Sequence, residues 1–150
     1  PDIVMLCGSR ACVRRSTGAP ITPDTAIYLA DTMNELGLFY RLSPFCFLGG
    51  TLVPMLGHNP LEPAVLNCAI LAGPSRANSA RAFEAVLGAQ GFGDVHTSGD
   101  IAREAERLLS DPQSARAAGM AAARGAATLS GAVGKTIAAL KSLLGSDARA

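Results

Sequence analysis

His58, Asn59 and Glu62 lie close together in Gly57-His58-Asn59-Pro60-Leu61-Glu62-Pro63-Ala64, putting an imidazole, a carboxamide and a carboxylate beside a short run of backbone amides. An imidazole titrates near neutrality, so His58 can act as a general acid or base, donate to a bound phosphate, or tie down its own loop. No nucleophile or second titratable group adjoins it, and the three roles stay open. Asn59 reads as a helix N-cap, Pro60 as the N1 residue whose missing N–H costs nothing, and Glu62 as the N3 carboxylate of a capping box. Thr32 and Glu35 repeat that spacing in Asp31-Thr32-Met33-Asn34-Glu35-Leu36-Gly37. Helix starts of this kind favour an anion, so a phosphate is expected at the amides of Asn34 to Leu36 and of Asn59 to Leu61. Arg14 and Arg15 either grip phosphate oxygens in the bidentate manner of guanidinium or form a solvated strand end.

The elements that must position these residues alternate. Residues 2–6 read as a helix, 11–14 and 26–30 as strands, and Leu36, Phe39 and Tyr40 as one face of a helix. Phe45 to Leu48 is an apolar run ended by Gly49-Gly50, and Ala69 to Ala72 is another ended by Gly73-Pro74. Helices follow over 80–90, 99–109 (Ile101, Ala105 and Leu108 on one face), 113–129 and 132–144, with a short edge strand at 94–96. Val133, Ile137, Leu140 and Leu144 give the last helix an inward apolar face. Strands that alternate with helices imply a parallel α/β sheet, whose ligands bind outside the carboxyl ends of the strands. Arg76, in the loop after Ala72, reads as solvent-exposed.

The chain has 150 residues, enough for one domain with an ample core. Thirteen basic and twelve acidic side chains nearly cancel, and with no Trp and two Tyr there is no electrostatic or stacking case for nucleic acid. Cys7, Cys12, Cys46 and Cys68 lack C-x-x-C spacing and read as buried thiols in a reducing compartment. No apolar run is long enough for a membrane span and no signal peptide is visible. The first residue is Pro1, and the chain reads as a piece of something longer.

Gly49-Gly50-Thr51-Leu52 followed by Gly57-His58-Asn59-Pro60-Leu61-Glu62-Pro63-Ala64 resembles the nucleotide-sugar half of the 3-deoxy-D-manno-octulosonic acid (Kdo) transferases. Arg14-Arg15-Ser16-Thr17-Gly18 is similar to that family's Arg-Arg-Ser-x-Gly segment. Asp31 to Leu36 resembles its DTMGEL motif, with Asn34 in place of glycine; asparagine tolerates the left-handed backbone. Gly73 to Ser79 keeps only Gly73, Pro74 and Asn78 of a GPHTFNF-like string. The resemblance spans residues 14–141.

That resemblance implies an α/β, Rossmann-like parallel sheet, the C-terminal domain of a GT-B glycosyltransferase, over residues 1–145, with 146–150 as a disordered tail. It implies transfer of Kdo from CMP-Kdo to a lipid A precursor in lipopolysaccharide biosynthesis, without cofactor or metal, at the cytoplasmic face of the bacterial inner membrane. The CMP-Kdo site it implies comprises Asn34, Glu35, Leu36, Gly50, Thr51, His58, Asn59, Pro60, Leu61 and Glu62. Both glutamates would face hydroxyls or base edges, since a phosphate repels them, and Glu62 would hold the ribose. No catalytic residue is expected here. The general base, the lipid A precursor surface and the membrane anchor are expected in an N-terminal half, so these residues alone are expected not to turn over. The alternatives are a GT-B transferase or epimerase that uses a UDP-sugar, and a non-catalytic nucleotide-binding domain.

Overall fold

The computed structural model describes residues 3–147. The chain forms two compact units, residues 1–36 and 37–150. In the first, helix α1 (Ile3–Leu6) leads to strands β1 (Cys12–Arg14) and β2 (Ile27–Leu29), which pair in parallel with Val13 opposite Tyr28.

The second unit holds helix α2 (Leu36–Leu42, its first residue closing the first unit), β3 (Phe45–Phe47), α3 (Leu61–Ala64), β4 (Ala69–Ala72), α4 (Ala80–Gly88) and β5 (Phe92–Asp94). It ends with α5 (Ser98–Ser110), α6 (Pro112–Ala127) and α7 (Ala132–Asp147). Its sheet has the order β3-β4-β5, all parallel. The central strand reads Ala-Ile-Leu-Ala with no polar alternation because both its faces are covered. Ile70 and Ala72 pack with Ala64, Phe83, Val86 and Ala122, a layer built from α3, α4 and α6. Ala69 and Leu71 pack on the other face with Val95, Leu108 and Ala115, joined by Ile101. Ile70, Leu71, Val86, Val95 and Leu108 are fully buried, each stabilising the fold by about 1.5 to 3 kcal/mol relative to exposure.

Side-chain caps set the later helix boundaries. Thr97 Oγ1 accepts the Asp100 N–H at 3.1 Å while the Asp100 carboxylate accepts the Thr97 N–H at 2.9 Å, so α5 starts at Ser98 through a capping box. Asp111 caps α6 through the N–H groups of Gln113 and Ser114, with Pro112 in the first turn.

Four expectations are corrected. The edge strand sits at Phe92–Asp94, two residues before its expected place, because pairing with Ile70 to Ala72 rather than local pattern sets its register. The last helix continues to Asp147, past the expected end at Leu144; residues 148–150 lie outside the described residues. Ile137 and Leu140 are about half exposed, not inward. Periodicity places residues on one helical face without saying what covers it; the side chains of Val133 and Leu144 lie outside the described residues. The four cysteines are free thiols, but only Cys7 and Cys68 are buried, with Cys12 and Cys46 half-buried. A hydrogen bond to Cys68, reinforced by burial, pushes the Cys46 thiol up, so it stays protonated.

Candidate functional site

In the first unit Arg14, at the exposed end of β1, and the exposed Arg15 are both ion-paired. Arg14 pairs with Asp31 at 2.8 Å, and Arg15 grips Glu35 in bidentate fashion, with Nη2 donating to Oε1 at 2.7 Å and Nε to Oε2 at 3.0 Å. Ser16 donates its hydroxyl and its N–H to Asp31, which with Arg14 holds that carboxyl well below its usual range. The Thr32 hydroxyl also donates to Glu35. The Glu35 carboxylate, expected to meet a ligand hydroxyl, is engaged by Arg15 and Thr32 and anchors the turn before α2. The same bonds displace its capping box, since the carboxylate faces Arg15 and not the Thr32 N–H. Asn34 does take the left-handed backbone, with φ 67°. No hydrogen-bond partner among the described residues meets the N–H groups of Asn34, Glu35 or Leu36, and Leu36 stands exposed at the start of α2.

Arg15, first of all, and then Thr32 lower the Glu35 carboxyl from 4.5 to about 2. A depressed carboxylate contributes its stabilisation above its unfolded value and loses it as pH falls through its folded one. The Arg15–Glu35 pair is therefore expected to persist down to about pH 4.5 and to open towards pH 2. Carbon NMR of the Glu35 carboxyl should show a midpoint well below that of a free glutamate; a midpoint near 4.5 would show the pair to be loose.

In the second unit the glycine-rich loop after β3 is zipped to the loop after β4. Thr51 is completely buried, its hydroxyl donating to the Leu48 carbonyl at 2.6 Å and accepting the Gly73 N–H at 2.8 Å. Its carbonyl accepts the Ser75 N–H, the Ser75 hydroxyl accepts the Leu56 N–H at 3.1 Å, and the Leu56 carbonyl accepts the Asn78 N–H. Gly57 closes the approach: at φ 66°, a Cβ there would lie 2.6 Å from the Ser75 carbonyl oxygen and 2.7 Å from Thr51 Cγ2. Thr51, expected as a ligand contact, is the pin of this zipper, its hydroxyl bonded on both sides and screened from solvent.

Arg76 secures the far side of the zipper. Its Nε donates to the Gly73 carbonyl, its Nη2 to Asp94 at the end of β5, and its guanidinium lies 5.6 Å from the Phe83 ring centroid. The solvent-exposed arginine expected here is thus a cross-brace, only 18% exposed. Ser75 and Arg76 are the positioning residues that sequence reasoning missed. Their signal, a polar pair in a loop that departs from the family string, is not distinctive before the partners are known.

The zipped loop presents His58, Asn59, Pro60, Leu61 and Glu62 in succession. The N-cap of α3 is Pro60, one residue later than expected, and Asn59 precedes it, its Oδ1 accepting the Leu61 N–H at 3.0 Å. Of the amides in the expected phosphate turn, Pro60 has no N–H and that of Leu61 is occupied, while those of His58 and Asn59 have no partner among the described residues. The capping-box role of Glu62 is not realised: its exposed carboxylate has no hydrogen-bond or ion-pair partner among the described residues, nor has the exposed His58 imidazole. Gly50 supports the loop, at φ 72° against Gly57. Beside the loop opens a cleft of about 650 Å³ walled by Asn59 and Leu61, residues 77–82 and residues 128–130. Pro60, Gly50, His58 and Glu62 lie outside its wall.

Parallel strands with helices on both faces, ending in a glycine loop and a helix start at their carboxyl edge, give the α/β, Rossmann-like fold of a GT-B C-terminal domain. Among solved structures, the C-terminal CMP-Kdo binding domain of WaaA from Acinetobacter baumannii superposes with a TM-score of 0.78 at 31% identity, covering 83% of this chain and 66% of that one. The 3-deoxy-D-manno-octulosonic acid transferase of Haemophilus influenzae is 36% identical over 103 residues, 68% of this chain and 24% of that protein. Its namesake in Bordetella pertussis is 30% identical over 139 residues, 90% of this chain and 32% of that protein. No family model matches the chain. The chain belongs to the 3-deoxy-D-manno-octulosonic acid transferase family, and it spans about a quarter to a third of the length of these curated relatives.

Proposed function

We propose that the second unit is the donor-binding part of a glycosyltransferase that moves Kdo from CMP-Kdo to a lipid A precursor in lipopolysaccharide biosynthesis. The observation that carries this reading is the zipped loop, which places the amides of His58 and Asn59 and the Glu62 carboxylate, unpartnered among the described residues, at the carboxyl edge of the sheet. The amides suit a phosphate, and a carboxylate one helical turn away suits ribose hydroxyls. The chemistry asks the domain only to hold a nucleotide-activated sugar, so the reading includes no metal and no cofactor.

The lipid A precursor, the membrane anchor and the general base belong, in this reading, to the larger remainder of such a transferase, at the cytoplasmic face of the bacterial inner membrane. Among the described residues no helix is long and apolar enough to cross a membrane.

Calorimetric titration of the chain with CMP, UMP and UDP tests the donor. CMP is expected to bind best, and a preference for UDP would replace the reading with a UDP-sugar enzyme. Glu62→Ala is expected to weaken CMP binding by about 1 to 3 kcal/mol with little change in melting temperature, because the carboxylate has no hydrogen-bond or ion-pair partner among the described residues. Unaltered CMP affinity in the folded variant would remove Glu62 from the site.

A further inference from the structure

We propose that the cleft between the Asn59 turn, the start of α4 and the end of α6 is the pocket for an acidic, polyhydroxylated sugar, with Arg81 taking its carboxylate. This rests on the donor reading above and locates the sugar portion of the activated donor, which that reading leaves open.

The cleft, at about 650 Å³, falls within the range of small-ligand sites. Its wall contains one charged side chain, Arg81, and no carboxylate. Arg14, Arg15, Arg76, Arg103 and Arg107 each spend their guanidinium on an acidic neighbour, whereas the exposed Arg81 guanidinium, like those of Arg10, Arg41, Arg116 and Arg124, has no hydrogen-bond or ion-pair partner among the described residues, and of these five arginines Arg81 is the one that lines the cleft. A planar guanidinium left in that condition matches a carboxylate in bidentate geometry.

The rest of the wall supplies both halves of hydroxyl recognition. Asn59 spends its Oδ1 on Leu61 and keeps its amide N–H groups, and the Asn78 carboxamide and Ser79 hydroxyl have no side-chain partner among the described residues. Thr128 and Ser130 donate their hydroxyls to the carbonyls of Gly125 and Ala127, which leaves their oxygens as acceptors facing the cleft. A bare phosphate would need donors alone, and a nucleobase would want an aromatic wall, which is lacking among the cleft residues. Mixed donors and acceptors around a single cation fit a polyol that carries one acid group.

The test compares CMP with CMP-Kdo on the full chain and on Arg81→Gln and Arg81→Lys, with thermal melts as the folding control. The wild-type chain is expected to hold CMP-Kdo about tenfold tighter than CMP. Arg81→Gln should erase that preference with CMP affinity unchanged, and Arg81→Lys should recover part of it. Undiminished preference in Arg81→Gln, or equal loss for both ligands, would overturn the assignment. So would a wild-type chain that binds CMP without preferring CMP-Kdo, and that result leaves the nucleotide site standing; binding of neither ligand removes both.

Discussion

Thr51→Val is expected to destabilise the second unit by about 2 to 3 kcal/mol, a large effect for a change that keeps the side chain's volume. The valine methyls fill the space of the threonine, so the transfer of apolar surface hardly changes. What is lost is the hydroxyl that donates to Leu48 and accepts from Gly73 at a fully buried position. The Leu48 carbonyl and the Gly73 N–H then stay buried unsatisfied, the costly side of the hydrogen-bond balance. CMP affinity should fall in step, because the amides of His58 and Asn59 are held only as well as the loop is zipped to Ser75 and Asn78. Thr51→Ser keeps the hydroxyl, loses one methyl beside Gly57, and is expected to cost about 1 kcal/mol. Urea unfolding of the three chains separates these outcomes. A valine variant within about 0.5 kcal/mol of wild type would mean that the zipper does not hold the loop.

Gly119→Ala is expected to cost about 3 kcal/mol or more, although alanine is the better helix former. Gly119 lies mid-way along α6 where the helix meets the turn into β4, and a Cβ there would lie 2.0 Å from the Asn67 carbonyl oxygen and 2.7 Å from its carbon. Both atoms are backbone and belong to the residue that enters the fully buried central strand, so relief requires the helix to lift off the sheet. Lifting it would open the layer in which Ala122 and Ala126 pack with Ile70 and Val86. Circular dichroism during chemical denaturation reads the loss. A midpoint shift worth less than about 1 kcal/mol would show that the helix and strand approach less closely than this spacing implies.

Much of the second unit was legible because apolar runs and breakers there are unambiguous. Ala69 to Ala72 reads as a buried strand and is one, residue for residue, since only a strand covered on both faces tolerates four apolar positions in succession. The turn at Asn59 was equally legible, because a carboxamide before Pro60 can satisfy the Leu61 amide by local geometry alone. The start of α5 was missed by one residue for a similar reason: its capping box uses Asp100 at the position where glutamate is the usual signal.

The local order of elements, the parallel α/β class and the Asn59 turn were determined by the chain itself, through spacing that acts within a few residues. Which polar groups remain free was decided only by tertiary contacts. Arg15 engages Glu35, Gly73 and Leu48 absorb the Thr51 hydroxyl, and Asp94 with Phe83 draws Arg76 inward, while the side chains of Glu62 and Arg81 have no hydrogen-bond or ion-pair partner among the described residues. A side chain's type states what it is able to bind. Whether it is available depends on partners many positions away that only folding brings within about 3 Å.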